Sequence, residues 1–416
     1  MAFGKIPRFS PSFSPSEAKI ALRYLLRDGP NDKVVEKFED RFANYIGSKY
    51  AVMVPSARYG FYLLLRAFGV ESGDEVIIPG LTYFAIPAMV PLLGAKPTFA
   101  DIGLHSHVLD PDAFEARITE KSKVVVPTHL FGTPCNMERI CEIAKQNNIK
   151  VIEDCAQSTG AKFQGKRVGS LGDAAYYTFG LTKNITTLSG AMITTNDPDV
   201  AAFVRSEIEK GGYPTKKRAI KEVATGMAMY VATHPYIYWA TVHPAVLLGN
   251  KLGKDPIHER FGEAECTYDG IPSYYQEQSK ALAVQAAVGM KQLDRIEDLN
   301  GARRKNGKAL DMGLNGLQNL GTPSYPKGAE PIYMSFVVHH RDRTSLADAL
   351  RERGVDTTTG YMNDMSDHPL FQEYKTHCPN ATRANKELLH IPVHPNLSES
   401  DRQHMIQTVR DVVLTL

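Results

Sequence analysis

The sequence predicts an α/β fold, a mostly parallel sheet covered by helices on both faces, followed by a smaller α+β unit. Short β-branched runs alternate, through the first half of the chain, with segments long enough for crossover helices. From about Gly307 that alternation gives way to one strand and two helices. At 416 residues and 46.0 kDa the chain exceeds one small domain. We therefore expect a large α/β domain over residues 1–305 and a small C-terminal α+β domain over 306–416.

Taken in order, Pro15 to Phe42 reads as helix interrupted at Gly29 and Pro30. A short buried strand, YAVMV from Tyr50 to Val54, leads into an apolar helix from Ser56 to Phe68. DEVIIPG (Asp74 to Gly80), KPTFADI (Lys96 to Ile102), SKVVVPTHL (Ser122 to Leu130) and IKVIEDC (Ile149 to Cys155) read as further strands. AAYYTF (Ala174 to Phe179) and GAMITT (Gly190 to Thr195) flank Lys183, and a hairpin-like excursion between them would hold that lysine at a sheet edge. Gln285 to Arg304 reads as one long helix. Beyond it follow the strand PIYMSFVVH, the helix SLADALRERG and a final helix from Ser398 to Leu416.

Composition narrows the function class. Basic and acidic residues number 48 and 46, a net charge of +2, so there is no field for a polyanion and nucleic acid is not an expected partner. A hydrophobic content of 43% with 23% charged residues is that of a globular enzyme rather than a disordered chain. Cys135, Cys141, Cys155, Cys266 and Cys378 are scattered, odd in number and never in a CxxC pair, which argues against disulfides and structural zinc and for a cytoplasmic location. No histidine spacing matches a zinc motif, so no metal is expected. The N-terminal MAFGKIPRFSPSFSPSEAK has no apolar stretch of signal-peptide length.

An apolar insert stands out at about 214–265, and Gly226 to Asn250 within it contains no Asp, Glu, Lys or Arg. Pro235, Pro244 and two histidines argue against a membrane span. Two readings stay open. An apolar and aromatic patch around Trp239, flanked by Lys216, Lys217, Arg218, Lys221 and Lys251, would rest on a membrane surface or accept a lipid-like substrate. Alternatively, the segment packs in a dimer interface or forms a lid.

The chemistry concentrates between Val151 and Asp197, where a carboxylate, an amide and a lysine follow one another. Asp154 ends a buried strand, where a carboxylate facing a protonated pyridine nitrogen makes a charge-assisted hydrogen bond and keeps the ring an electron sink. Lys183 follows a strand and a turn, a placement where partial desolvation turns an amine into a nucleophile toward an aldehyde. Taken singly, a strand-end Asp is commonly a helix cap and a lone Lys a surface residue. Together they mean more.

VIEDCAQ (Val151 to Gln157), GSLGD (Gly169 to Asp173), TFGLTKNI (Thr178 to Ile185) and SGAMITT (Ser189 to Thr195) resemble, in order and spacing, the DegT/DnrJ/EryC1/StrS family of sugar aminotransferases. KVVEKFEDRFANYIGSKYAV, GDEVIIPGLTYFA, PTHLFGTPCNM, QAAVGMKQLDRI and HIPVHPNLSESD extend the resemblance over most of the chain, with Lys210 to Ser279 poorly covered. The resemblance implies an aspartate-aminotransferase-like fold (fold type I) with a seven-stranded central sheet, and pyridoxal 5'-phosphate as cofactor. Lys183 would be the Schiff-base lysine and proton shuttle, Asp154 the partner of the pyridine nitrogen, and Gln157 the partner of the phenolic oxygen. Tyr83 would stack on the ring, though by itself it reads as a core tyrosine.

The phosphate would sit at the helix start near Ser56, where Ala57 and Arg58 replace the family's usual threonine-bearing residues, with Thr178 at the family's serine position. Lys280 stands where family members place a residue that reaches the partner's cofactor phosphate, so a homodimer with shared active sites is implied. His129, in a family element near the site, would contact substrate. The implied reaction moves an amino group from an amino acid, glutamate by analogy, to a keto acceptor such as a nucleotide-linked keto-sugar or a related compound. Dehydratase relatives carry histidine at the lysine position, and Lys183 argues against that chemistry. The alternatives are a non-catalytic cofactor-binding regulator and an enzyme acting on a lipid-like substrate at a membrane surface.

Overall fold

The structure, a computed structural model, describes residues 5–26, 31–251, 278–359 and 362–416. Its strands in the first half are β1 (Tyr50–Val54), β2 (Glu75–Pro79), β3 (Leu81–Thr82), β4 (Lys96–Ala100), β5 (Ser122–Val125), β6 (Lys150–Asp154), β7 (Lys162–Phe163), β8 (Lys166–Arg167), β9 (Ala174–Thr178) and β10 (Ala191–Thr195). Seven of them form the central sheet in the order β1-β10-β9-β6-β5-β2-β4. Strand β10 runs antiparallel to both its neighbours, and every other pairing in the sheet is parallel. This is the mostly parallel sheet that the sequence predicts.

Because successive strand residues point to opposite faces, each strand feeds two cores. Val52, Val54, Tyr176 and Ile193 pack into one, with Leu63 and Leu64 of the helix α3 described below. Ala51, Met53, Tyr177 and Met192 pack into the other, with Phe38, Phe42 and Ile46. The covering helices are α1 (Pro15–Leu25), α2 (Asp32–Ile46), α3 (Ala57–Ala67), α4 (Pro111–Glu115), α5 (Met137–Gln146), α6 (Pro198–Glu209) and α7 (Lys216–Ala232). Phe42 of α2 sets its ring edge-on to Tyr177 at 4.9 Å and to Phe179 at 5.4 Å. Removing that ring should cost about 3–5 kcal/mol.

A further core collects Leu310, Leu346, Leu350, Val409 and Val412 around an antiparallel pair, Phe336–His339 with Leu388–Ile391. Ile6 joins it by pairing with Val355, so the N-terminal segment packs with the C-terminal half.

Three expectations need correction. The β9–β10 pair is internal to the sheet, with β1 outside it, so Lys183 stands at the end of the strands rather than beside an edge strand. The single helix expected from Gln285 to Arg304 is two helices, Ala283–Leu293 and Ile296–Leu314. Between them the Arg295 amide bonds the Gln292 carbonyl, a tightening that ends the first helix. The strand expected over Pro331 to His339 pairs only from Phe336, because Tyr333 takes a left-handed φ of 53° and the Ile332 amide bonds the Gly132 carbonyl instead.

The insert is helical as far as it is described. Helix α7 is followed by short helical pieces at Pro235–Ile237 and Tyr238–Val242 and by a helix at His243–Lys251. The rest of it, to 265, lies outside the described residues. Tyr238 is buried and its hydroxyl donates to Asp356 Oδ2 at 2.8 Å, which docks the segment on the C-terminal half. Among the described residues no helix is long and apolar enough to cross a membrane.

Candidate active site

Strand β6 ends at Asp154, β9 at Thr178, and β1 runs into Ser56, the N-cap of α3. These C-terminal strand ends meet at one cavity of about 250 Å³, the usual place for a ligand in an open α/β sheet. Ala57, Arg58, Tyr83, Asp154, Gln157, Thr178 and Lys183 all line it.

Asp154 is buried, at 5% exposure, and its Oδ1 accepts the Ala156 amide at 2.9 Å. Burial raises its pKa above the ordinary carboxylate value, against the Ala156 amide, the Tyr176 phenol and the Lys183 charge, which lower it. A cation placed beside it would lower its pKa again. Gln157 is oriented by its neighbours. Its Oε1 accepts the Phe131 amide at 2.9 Å, which turns the NH2 group toward Met362 and the cavity. The amide is thereby presented as a donor.

Lys183 rides on the loop from β9 to β10, and this loop is tied down on several sides. The Ser12 hydroxyl donates to the main-chain oxygens of Lys183 and Asn184. The Asn184 side chain donates to the Thr159 carbonyl at 2.8 Å, and the Thr186 hydroxyl to the Phe179 carbonyl at 3.0 Å. Leu188 takes a left-handed φ of 76° and donates its amide to the Thr186 hydroxyl at 2.9 Å.

At the start of α3 the Ser56 hydroxyl accepts the Tyr59 amide at 3.2 Å, leaving the first-turn amides of Ala57 and Arg58 at the cavity. Thr178 adds a hydroxyl to the lining. The hydroxyls of Thr82 and Thr128 are buried in the same lining with no hydrogen-bond partner among the described residues. Such orphaned groups, beside a helix N-terminus, suit a polar, anionic ligand. The residues present fit a phosphorylated pyridine.

Two expected site residues stand elsewhere. The His129 ring is fully buried outside the cavity: its Nε2 meets Glu153 at 3.0 Å and its Nδ1 accepts the Cys135 amide at 3.0 Å. Both nitrogens are engaged, so the expected substrate contact is corrected to a supporting position against Glu153 and Cys135. Lys280 pairs with Glu209 and lies 5.3 Å over the Tyr213 ring, away from this chain's cavity.

Sequence reasoning passed over Glu153 altogether. Its carboxylate accepts the amides of Gly169, Leu171 and Gly172, each at 2.7 Å, and so fastens the GSLGD turn to β6. Gly169 has a φ of +89°, and a Cβ there would fall 1.6 Å from the Tyr177 hydroxyl. Ser12, Thr82, Thr128 and Met362 were likewise unread, since they reach the site from distant parts of the chain.

Residues 23–234 and 275–410 match the model of the DegT/DnrJ/EryC1/StrS aminotransferase family. The chain belongs to this family. Among relatives of the DegT/DnrJ/EryC1/StrS proteins, it is 30% identical to a pleiotropic regulatory protein of Geobacillus stearothermophilus, covering 94% of this chain and 90% of that one. It is 28% identical to dTDP-3-amino-3,6-dideoxy-alpha-D-galactopyranose transaminase of Aneurinibacillus thermoaerophilus, over 90% and 89% of the two chains. The crystal structure of S. venezuelae DesV in complex with a ketimine intermediate superimposes with a TM-score of 0.76 at 25% identity, covering 96% and 94%. This DegT/DnrJ/EryC1/StrS member is thus an aminotransferase with the type I fold. The stretch left between the two matched segments, 235–274, holds most of the insert.

Proposed function

We propose that this aminotransferase uses pyridoxal 5'-phosphate, held through Lys183, to move an amino group from an amino acid, glutamate, to a nucleotide-linked keto-sugar or related keto compound. The observation that carries the reading is the gathering of Lys183, Asp154 and Gln157 around one cavity with a helix N-terminus at its end. The bound cofactor supplies an electrophilic carbon for amines and a ring that delocalises the electron pair left by C–H cleavage.

The chain's own residues do the rest. Lys183 Nζ would hold the cofactor covalently and, as a free amine, would serve as the base and acid for the proton on the substrate carbon. Asp154, buried, would hold the pyridine nitrogen protonated by a charge-assisted hydrogen bond. The Gln157 amide would donate to the phenolic oxygen, and the half-buried Tyr83 ring would stack on the pyridine. The amides of Ala57 and Arg58, the Arg58 guanidinium and the Thr178 hydroxyl, all at the cavity, would hold the phosphate. Lys280 is assigned to the partner subunit's phosphate in a homodimer that works in the cytoplasm. The division into 1–305 and 306–416 belongs to the same proposal, the second core being its support.

Reduction of the loaded protein with borohydride, followed by peptide mass spectrometry, tests the attachment. The added phosphopyridoxyl mass is expected on the peptide bearing Lys183; its appearance only on other lysines would sink the reading.

One observation favours a second reading, contact with a membrane or a lipid-like acceptor. Tyr236, Trp239 and Leu248 of the insert are 59%, 45% and 62% exposed. Co-sedimentation with anionic liposomes, lost in Trp239→Ser with Leu248→Ser, would support it; no binding by the wild type would remove it.

A further inference from the structure

A second cavity, of about 250 Å³, lies where the N-terminal segment, helix α7 and the start of the insert meet the C-terminal half. Pro7, Phe9, Ala228, Met229, Ala232 and Val242 give it carbon surface. Its polar lining is Arg8, Thr225, Thr233, Tyr238 and Asp356.

Each of those polar side chains is already answered from within the protein. Arg8 places its Nε and Nη2 on the two oxygens of Asp356 at 2.9 and 2.8 Å, with both side chains buried. The Tyr238 hydroxyl donates to the same carboxylate at 2.8 Å. The hydroxyls of Thr225 and Thr233 donate back along α7 to the carbonyls of Lys221 and Met229, each at 2.9 Å. The Lys183 cavity is the reverse case, with the hydroxyls of Thr82 and Thr128 buried and without a partner among the described residues. The two cavities therefore select opposite chemistries. Apolar cavities stay dry or take up apolar molecules, and one of about 150 Å³ holds benzene. On that scale 250 Å³ admits a chain of about ten carbon atoms.

We infer that this cavity binds a hydrocarbon chain. The inference does not rest on the proposed cofactor chemistry, since Lys183, Asp154 and Gln157 are not in the wall. Nor are Tyr236, Trp239 and Leu248, the exposed residues of the membrane reading. Arg8 and Phe9 also line a smaller cavity, of about 130 Å³, that Lys183 reaches. A chain seated against them lies one residue layer from that lysine.

The test is calorimetric titration of the cofactor-loaded protein with straight-chain alcohols from hexanol to dodecanol. Affinity is expected to rise about fourfold with each added methylene, the scale of burying that group. The rise should level off at about ten carbons, where the cavity is full. Binding should carry a negative heat-capacity change, the mark of apolar burial. Ala228→Phe fills the cavity from an exposed position on α7 and is expected to lower decanol affinity by about tenfold or more. Val231→Phe, also exposed on α7 but outside the wall, should leave it within about twofold. Cofactor absorbance should be unchanged in both. Should Ala228→Phe fail to fold, Ala232→Phe decides. An affinity indifferent to chain length, or decanol binding by the filled variant as tight as by the wild type, would overturn the inference. Displacement of bound decanol by anionic phospholipid vesicles would support the chain site and make its occupant a membrane lipid; displacement by decanoate alone would support it with a soluble amphiphile. A wild type that binds decanol but loads no cofactor at Lys183 would overturn the proposed function and leave this inference standing.

Discussion

The Ser12 hydroxyl lies 3.1 Å from the main-chain oxygens of both Lys183 and Asn184, joining the N-terminal segment to the lysine loop across 171 residues of sequence. Gln292 holds the same segment by donating to the Ser12 carbonyl at 3.0 Å. Ser12→Ala removes the shared donor and keeps the packing. It should destabilise the fold by about 1 kcal/mol. It should also lower kcat more than it raises KM, because the lysine's position and not ground-state binding is affected. Thermal melting and steady-state kinetics check the two parts.

His129 answers to Glu153, not to the cavity. His129→Leu is therefore expected to leave KM for both substrates near wild type while costing about 2–3 kcal/mol of stability, since a buried carboxylate loses a donor. A KM that rises severalfold at unchanged Tm would return His129 to the substrate.

Asp154 gives a pH signature. Its folded pKa is raised above the ordinary carboxylate value, mainly by burial. The cofactor-free folded state therefore binds more protons than the unfolded one over the interval between the two values. Stability falls as pH rises through that interval, and the penalty is complete above the folded pKa. Asp154→Asn is expected to melt at or above the wild-type Tm near neutral pH without cofactor, and to lose the stabilisation that cofactor gives the wild type. Scanning calorimetry across pH, with and without pyridoxal phosphate, measures both.

Arg58 lines the cavity at the start of α3, where the proposed phosphate site lies. Arg58→Ala should weaken cofactor affinity by roughly tenfold, the scale of one charge-assisted hydrogen bond, and leave Tm of the cofactor-free protein unchanged. Equilibrium dialysis of pyridoxal phosphate checks it.

Much of this was legible in the sequence. The strand YAVMV begins and ends as read, and AAYYTF begins as read and ends one residue early at Thr178, because their apolar residues must be buried on both faces. The gathering of Lys183, Asp154 and Gln157 at one cavity is what the resemblance to the DegT/DnrJ/EryC1/StrS family implied. What stayed hidden depends on tertiary pairing. Met362 reaches the cavity beside a two-residue ladder that joins Asn363–Asp364 to Leu81–Thr82, a pairing that leaves no local pattern. Glu153 reads as a strand residue with the wrong polarity until the three amides of the GSLGD turn are seen around it. His129 was misread for the converse reason: nearness in sequence to the site says nothing of which way a ring points.

The most direct test of the whole account is the absorption spectrum of the purified protein with pyridoxal phosphate, before and after glutamate, for wild type and Lys183→Ala. The account predicts a visible-edge band in the wild type that glutamate converts to the pyridoxamine form, and no such conversion in Lys183→Ala. A band indifferent to Lys183 and to amino donors, or no band at all, would contradict it.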